Sequence, residues 1–280
     1  MVKIYHTGHA GFMFCYDKVT LVTDHWSSNF KPFENSWEKL ENDNYEKSFL
    51  DKLYNPDFIW CSHEHGDHYD PTYIKSIKNK NCKIIMPNFG DKSFEKLMIN
   101  DDINLEMIYL NDLDSLYLSK KFKVQIIFEE PLYTNHSSLF LNFNNKLKCF
   151  HNADTTPIDD FYKKAEENNM FNVDIFIGQY TNPTPFPWSI DMKIFDKQEE
   201  AIEMHNNYLN LFIEMNKKFN AKKCFPCAGP AIVKKHNIKK YIKANKIIFD
   251  KKSNLKYLSK NLETREIYNL KNGQKILFDV

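Results

Sequence analysis

The amino-acid sequence predicts a four-layer αββα sandwich, two sheets packed face to face with helices outside. Strand-like segments fall into two groups, helical patterns are interspersed with each, and short spacings between several strands suit hairpins better than long crossovers. A doubly wound parallel sheet is the competing α/β architecture. The hairpin spacings count against it, as does the lack of a glycine-rich phosphate loop in a chain with only 7 glycines.

The first group opens with strands at residues 2–5, 12–16 and 19–23, separated by Gly11 and by Asp17-Lys18. Between residues 36 and 53, Ser36 is a candidate N-cap, and Trp37, Leu40, Tyr45, Phe49 and Leu53 recur at helical spacing, with a break expected at 41–44. Residues 58–61 form a short apolar run bounded by Asn55-Pro56-Asp57, as a buried strand should be. A helix over 71–78, a strand over 83–86 and a helix over 92–99 follow. Strands are then expected at 106–109, 115–118, 122–128, 138–143 and 146–150. A helix over 159–168, a buried strand over 173–177 and a long amphipathic helix over 196–219 complete the second group. No repeat or linker divides the chain, so residues 1–280 read as one domain, with 231–280 as a C-terminal extension carrying strand-like runs at 267–268 and 276–278.

Composition narrows the function classes. At 42% hydrophobic and 27% charged the chain is neither collagen-like, disordered nor coiled coil. A formal net charge of +1 provides no broad field for neutralising phosphates, and the paired lysines read as solvated faces, so no nucleic acid partner is expected. Arg265 is the single arginine, which leaves an anionic substrate to lysines, backbone N–H groups or a metal. The N-terminus lacks the pattern of a secretory leader and no long apolar run occurs, so a cytoplasmic protein without a membrane span is expected. The 6 cysteines lie mostly in apolar strands and read as reduced, and Cys224-Phe225-Pro226-Cys227 lacks the second pair that structural zinc requires.

The stretch Ser62-His63-Glu64-His65-Gly66-Asp67-His68, directly after a buried strand, carries the chemistry. Residues two apart in an extended segment project to one side, so His63 and His65 can converge on one ion. Gly66 then permits a turn that lets Asp67 and His68 face a second point. Imidazole with carboxylate suits zinc, iron, manganese or nickel. His6, His9 and His25 lie on early loops within potential reach.

The loop matches HxHxDH without departure, and the chain thereby resembles the metallo-β-lactamase superfamily, whose fold is the αββα sandwich. The resemblance implies that His136, ahead of a predicted strand, completes the first ion's imidazoles with His63 and His65. It implies that Asp154, in Asn152-Ala153-Asp154-Thr155, bridges to a second ion held by Asp67 and His68, and that Asp24 orients the ligand loops. The superfamily's last His has no counterpart. Where it would fall, the chain reads Lys223-Cys224-Phe225-Pro226-Cys227-Ala228-Gly229-Pro230, so either solvent completes the second ion's shell or another residue such as His9 approaches it. His9 is otherwise expected to support the ligands.

Within that superfamily the chain is similar to the metal-dependent domain of CMP-N-acetylneuraminate hydroxylase and its bacterial relatives. Thr23-Asp24-His25-Trp26, the span 30–37, the HxHxDH loop, Asn152-Ala153-Asp154-Thr155 and Phe225-Pro226-Cys227-Ala228-Gly229 recur in that order. The loop 179–192 matches a Phe-Pro loop of that branch, which makes Phe186 and Trp188 candidate walls of a substrate pocket. A Rieske centre needs CxH and CxxH pairs, and no CxxH exists in this chain. Three functions remain. The leading expectation is a metallo-hydrolase with two divalent ions, zinc first and iron or manganese as alternatives, acting on a small metabolite such as a sugar or nucleotide sugar through a metal-bound hydroxide, with Asp67 as catalytic carboxylate. The alternatives are an oxygen-activating di-iron hydroxylase supplied by a separate electron donor, and a non-catalytic metal-binding protein.

Overall fold

In a computed structural model that describes residues 1–39, 45–129, 135–181, 198–229, 231–233, 246–263 and 265–280, the strands follow the two expected groups. The first group holds β1 (Val2–Gly8), β2 (Gly11–Tyr16), β3 (Val19–Thr23), β4 (Trp37–Glu38), β5 (Phe58–Trp60), β6 (Lys83–Pro87) and β7 (Glu106–Leu110). The second holds β8 (Ser115–Ser119), β9 (Phe122–Phe128), β10 (Ser137–Phe143), β11 (Leu147–His151), β12 (Ile175–Gln179) and β13 (Lys223–Cys227). Two two-residue strands and one longer strand finish the set: β14 (Ile232–Val233), β15 (Glu266–Ile267) and β16 (Lys275–Phe278).

One sheet runs β16-β1-β2-β3-β5-β6-β7 and the other β15-β13-β12-β11-β10-β9-β8. Each is antiparallel along its hairpins and turns parallel further along, from β3 through β7 in the first and from β11 through β15 in the second. The period of two along a strand sorts side chains into separate cores. Phe12 and Phe14 of β2, Trp60 of β5 and Cys149 of β11 pack between the sheets. Met13, Val22 and Ile59 point the other way, against the helices Lys47–Leu53, Pro71–Lys75 and Ser93–Asn100. Phe150 and Phe176 face Phe161 of helix Asp159–Glu167 and Phe212 of helix Gln198–Lys218. Three cores separate four layers, and the sandwich is the αββα arrangement.

Local differences have identifiable causes. Ser36 does not cap a helix. Phe33 and Glu34 sit at φ 54 and 55, Ser36 N–H closes the turn onto the Phe33 carbonyl, and Trp37–Glu38 pairs with Ile232–Val233 as a small separate sheet. Strand pairing across the molecule overrides the local helical pattern there. Helix Lys47–Leu53 begins later, at Glu46, and the break expected at 41–44 lies outside the described residues. The described residues after 230 enter both sheets: β16 pairs with β1, β15 with β13, and Leu258 of helix Lys251–Asn261 is buried in the core under the second sheet. None of the 6 cysteines is in a disulfide, and no helix of the described residues is long and apolar enough to cross a membrane.

Phe150 lies at the centre of its core, 4.1 Å from the Phe219 ring centroid and fully buried. Replacing it with Ala is expected to cost about 3–5 kcal/mol of unfolding free energy in a denaturant titration. A loss below about 1 kcal/mol would contradict this packing.

Candidate metal centre

The ends of the inner strands build the site. β3 delivers Asp24, β5 runs into His63 through His68, the start of β10 follows His136, and β11 ends in the turn that carries Asp154. Asp24 is fully buried, with φ 41 and its own N–H on the Trp60 carbonyl. One carboxylate oxygen accepts the Ser62 N–H at 2.8 Å and the other meets His68 Nδ1 at 3.0 Å. From the opposite sheet Ser137 Oγ donates to the Ser62 carbonyl at 2.7 Å, so the loop is held from both layers. Gly66 does not adopt a positive φ. Its role is close approach, since a Cβ there would stand 2.4 Å from Pro32 Cβ, while His68 and Tyr69 N–H groups close the turn onto the His65 carbonyl.

His63, His65 and His136 come together, with donor atoms within 4.8 Å of one another. His63 Nε2 and His65 Nδ1 are 2.8 Å apart, and the His63 and His136 ring centroids are 4.4 Å apart. Glu129 Oε2 faces His136 Nδ1 at 3.1 Å, and Ser62 Oγ faces His63 Nδ1 at 2.9 Å. Protons on those two Nδ1 atoms make each Nε2 an acceptor, the form in which imidazole binds metal. Burial, reinforced by His68 and His136, pushes the His63 pKa well below the usual imidazole range and keeps it neutral.

A second group lies alongside. His68 Nε2 stands 3.3 Å from Asp154 Oδ2 and 3.7 Å from Asp67 Oδ2, and His9 Nε2 stands 3.1 Å from Asp67 Oδ2. Burial alone would lower the His68 pKa, but the carboxylates of Asp154, Asp67 and Asp24 hold it well above the usual imidazole range. The same electrostatics work on Asp154, where burial is outweighed by His68, His63 and His136 and the pKa is lowered. With its Nδ1 proton given to Asp24, His68 turns a buried Nε2 toward two carboxylates without a well-formed hydrogen bond, and Asp154 Oδ1 is likewise buried without a hydrogen-bond partner among the described residues. Positive charge belongs at this point. A divalent cation meets that demand, and the imidazole and carboxylate donors fit zinc, iron or manganese.

Three residues beside the site were not singled out from sequence. His151 spans the layers, with Nε2 on the Ala10 carbonyl at 3.0 Å and the Ala153 N–H on Nδ1 at 3.2 Å, and so sets the turn (Ala153 φ 51) that presents Asp154. Glu129 orients His136, and Tyr208 lies near enough for Asp154 and Glu129 to add to the rise that burial causes in its phenol pKa. Only contacts across the fold reveal these, although Asn152 and Thr155, which brace the same turn through Ser138, lie in the recognised segment. His6 bonds the His9 carbonyl and His25 packs on Tyr73, so of the early histidines His9 is the one whose ring reaches the cluster. Phe186 and Trp188 lie outside the described residues. An open pocket adjoins His9 and is lined also by His6, Lys39, Tyr180, Cys227 and Lys251.

Asp24→Asn should leave the Ser62 bond in place but turn an amide N–H toward His68 Nδ1. The imidazole proton then moves to Nε2, the atom aimed at Asp154, and metal affinity measured by titration is expected to fall about 10- to 100-fold with the fold retained. Unchanged affinity would show that this bond does not set the tautomer.

No family model matches the sequence. A curated relative from Mycolicibacterium smegmatis, described as a Rieske 2Fe-2S iron–sulfur protein, is 21% identical over 240 residues, 82% of this chain and 44% of the relative, so the chain spans less than half of that protein's length. Among solved structures, the metallo hydrolase Igni18 from Ignicoccus hospitalis superposes with a TM-score of 0.62 at 12% identity, covering 100% of this chain and 99% of its own. CmlA, a diiron β-hydroxylase from Streptomyces venezuelae, gives 0.62 at 12% identity over 100% of this chain and 54% of its own. YhfI from Bacillus subtilis, described as a metallo-β-lactamase fold protein, gives 0.57 at 15% identity over 99% and 100%. Two mixed sheets in an αββα sandwich, with the histidines and carboxylates gathered where the strands end, give this chain the metallo-β-lactamase fold.

Proposed function

We propose that the chain is a metal-dependent hydrolase acting on a small metabolite, a sugar or nucleotide sugar being the class its sequence resemblance favours. The observation that carries the reading is the adjacency of two donor sets, His63, His65 and His136 in one and His63, His68 and Asp154 in the other, with Asp67 beside them. The first three imidazoles would hold one divalent ion, and Asp67, His68 and Asp154 a second, with zinc favoured and iron or manganese also matching the donors. Bound there, the ions would supply a water whose pKa falls to about 7 and Lewis-acid stabilisation of negative charge on a phosphoryl or acyl oxygen.

The chain's own groups account for orientation and proton handling. Asp67 is 3% exposed and its Oδ2 is fixed by His9, so it is the carboxylate suited to accept a proton from the attacking water. Glu129 and Ser62 hold the first imidazoles in the ligating tautomer, and Asp24 orients His68 so that its Nε2 faces Asp67 and Asp154. The pocket beside His9 opens directly next to the cluster. The hydrolase Igni18, which matches over nearly its whole length, supports this reading.

A second reading keeps the ligands and changes the metal. The diiron hydroxylase CmlA and the Rieske-type relative favour iron and oxygen-dependent hydroxylation, with electrons from a separate donor protein because the chain lacks Rieske ligands.

His65→Ala is expected to lower hydrolysis of a responsive phosphoester, ester or amide substrate more than about 100-fold, because outer-sphere changes alone cost about 10- to 100-fold. Bound metal should fall in parallel, and unchanged turnover would refute the hydrolase reading. In the iron-reconstituted chain with a chemical reductant, oxygen uptake equal to the metal-free control would remove the hydroxylase reading.

A further inference from the structure

We infer that His9, from the turn between β1 and β2, supplies the second ion with the imidazole that the loop after β13 lacks, an inference that rests on the metal-dependent reading above. Two donors on one tetrahedral ion with bonds of about 2.0–2.1 Å lie roughly 3.3–3.4 Å apart. The contacts around this point bracket that spacing: His9 Nε2 to Asp67 Oδ2 is 3.1 Å, His68 Nε2 to Asp154 Oδ2 is 3.3 Å, and His68 Nε2 to Asp67 Oδ2 is 3.7 Å. His9, Asp67 and His68 offer donor atoms that all lie within 4.8 Å of one another, and Asp154 faces the same His68 nitrogen. His9, Asp67 and His68 thus offer three donors to one ion, with Asp154 at the shared His68 nitrogen.

The backbone is built to put the ring there. His9 and Ala10 form the two-residue turn between the paired Gly8 and Gly11, and the left-handed conformation of His9 at φ 51, next to Gly8 at φ 96, has a local cost at a non-glycine residue that other contacts must offset. They come from both sides: the His9 carbonyl meets His6 Nε2 at 3.0 Å and accepts the Ala228 N–H at 3.1 Å. Ala228 belongs to the segment where the superfamily's last His is expected. That segment therefore approaches the second group, yet contributes a backbone N–H that holds His9 in place of a ligand. The His9 side chain is 4% exposed, with its ring edge-on to the fully buried Trp26 at 5.2 Å, so its orientation is fixed before any ion arrives.

A His9 that merely orients Asp67 makes a different prediction from one that binds the ion, and cobalt(II) separates them. The unaltered chain, His9→Ala and His9→Cys are saturated with cobalt, desalted, and measured by elemental analysis and absorption spectroscopy. As a ligand, His9 gives two ions per chain in the unaltered protein and one in His9→Ala, while His9→Cys regains the second and acquires a thiolate-to-cobalt charge-transfer band. As an orienting group, its loss weakens binding about 10- to 100-fold but leaves two ions at saturation and no such band, which overturns the inference. Should His9→Ala not fold, the band in His9→Cys decides alone. A single ion in the unaltered chain also overturns the inference and leaves the metal-dependent reading standing, whereas none would remove that reading itself.

Discussion

The Asp24 carboxylate, buried at the end of β3, is the interaction on which the site depends. It is fully excluded from solvent, and both of its oxygens are used, one on the Ser62 N–H and one on His68 Nδ1. An ionised carboxylate in such a place needs compensation, and here the compensation is structural: the backbone of the loop after β5 and an imidazole are pulled onto it. That bond fixes which nitrogen of His68 carries a proton and so which nitrogen faces Asp67 and Asp154. The outer nitrogen faces those two carboxylates, where positive charge is favoured.

The sandwich brings the rest to this point because two sheets end there together. Asp24 and the His63–His68 loop leave the first sheet, and His136 and Asp154 leave the second. Cross-layer bonds hold the two in register, from Ser137 to the Ser62 carbonyl and from His151 to the Ala10 carbonyl. Between them the core of Phe12, Trp60 and Ile177 keeps water from the floor of the site. His63 and His65, whose pKa values burial lowers, are poised to bind metal without first losing a proton.

Much of this was legible in the sequence, for physical reasons. The apolar run of β5, the two groups of strands and the hairpin spacings carried the layer order, and the HxHxDH loop is local enough for its convergence to follow from the two-residue period and one glycine. His136, Asp154 and Asp24 were reached through resemblance and stand beside that loop in the fold. Glu129, His151 and Ser137 were not legible, since each acts through a partner that only folding provides; His151 and Ala10 are 141 residues apart in the chain. Ser36 misled because its local pattern is helical while Trp37 and Glu38 take their hydrogen bonds from Ile232 and Val233. His9 sits in a Gly-His-Ala-Gly stretch that reads as a plain turn, and its proximity to Asp67 depends on the Ala228 contact across the molecule.

Anomalous diffraction from crystals grown with zinc, collected on both sides of the zinc absorption edge, tests the central claim most directly. The account requires an edge-dependent peak between His63, His65 and His136, where buried neutral imidazoles converge. Zinc in excess with no peak among those three side chains, in crystals whose loop from Ser62 to His68 is ordered, would contradict it.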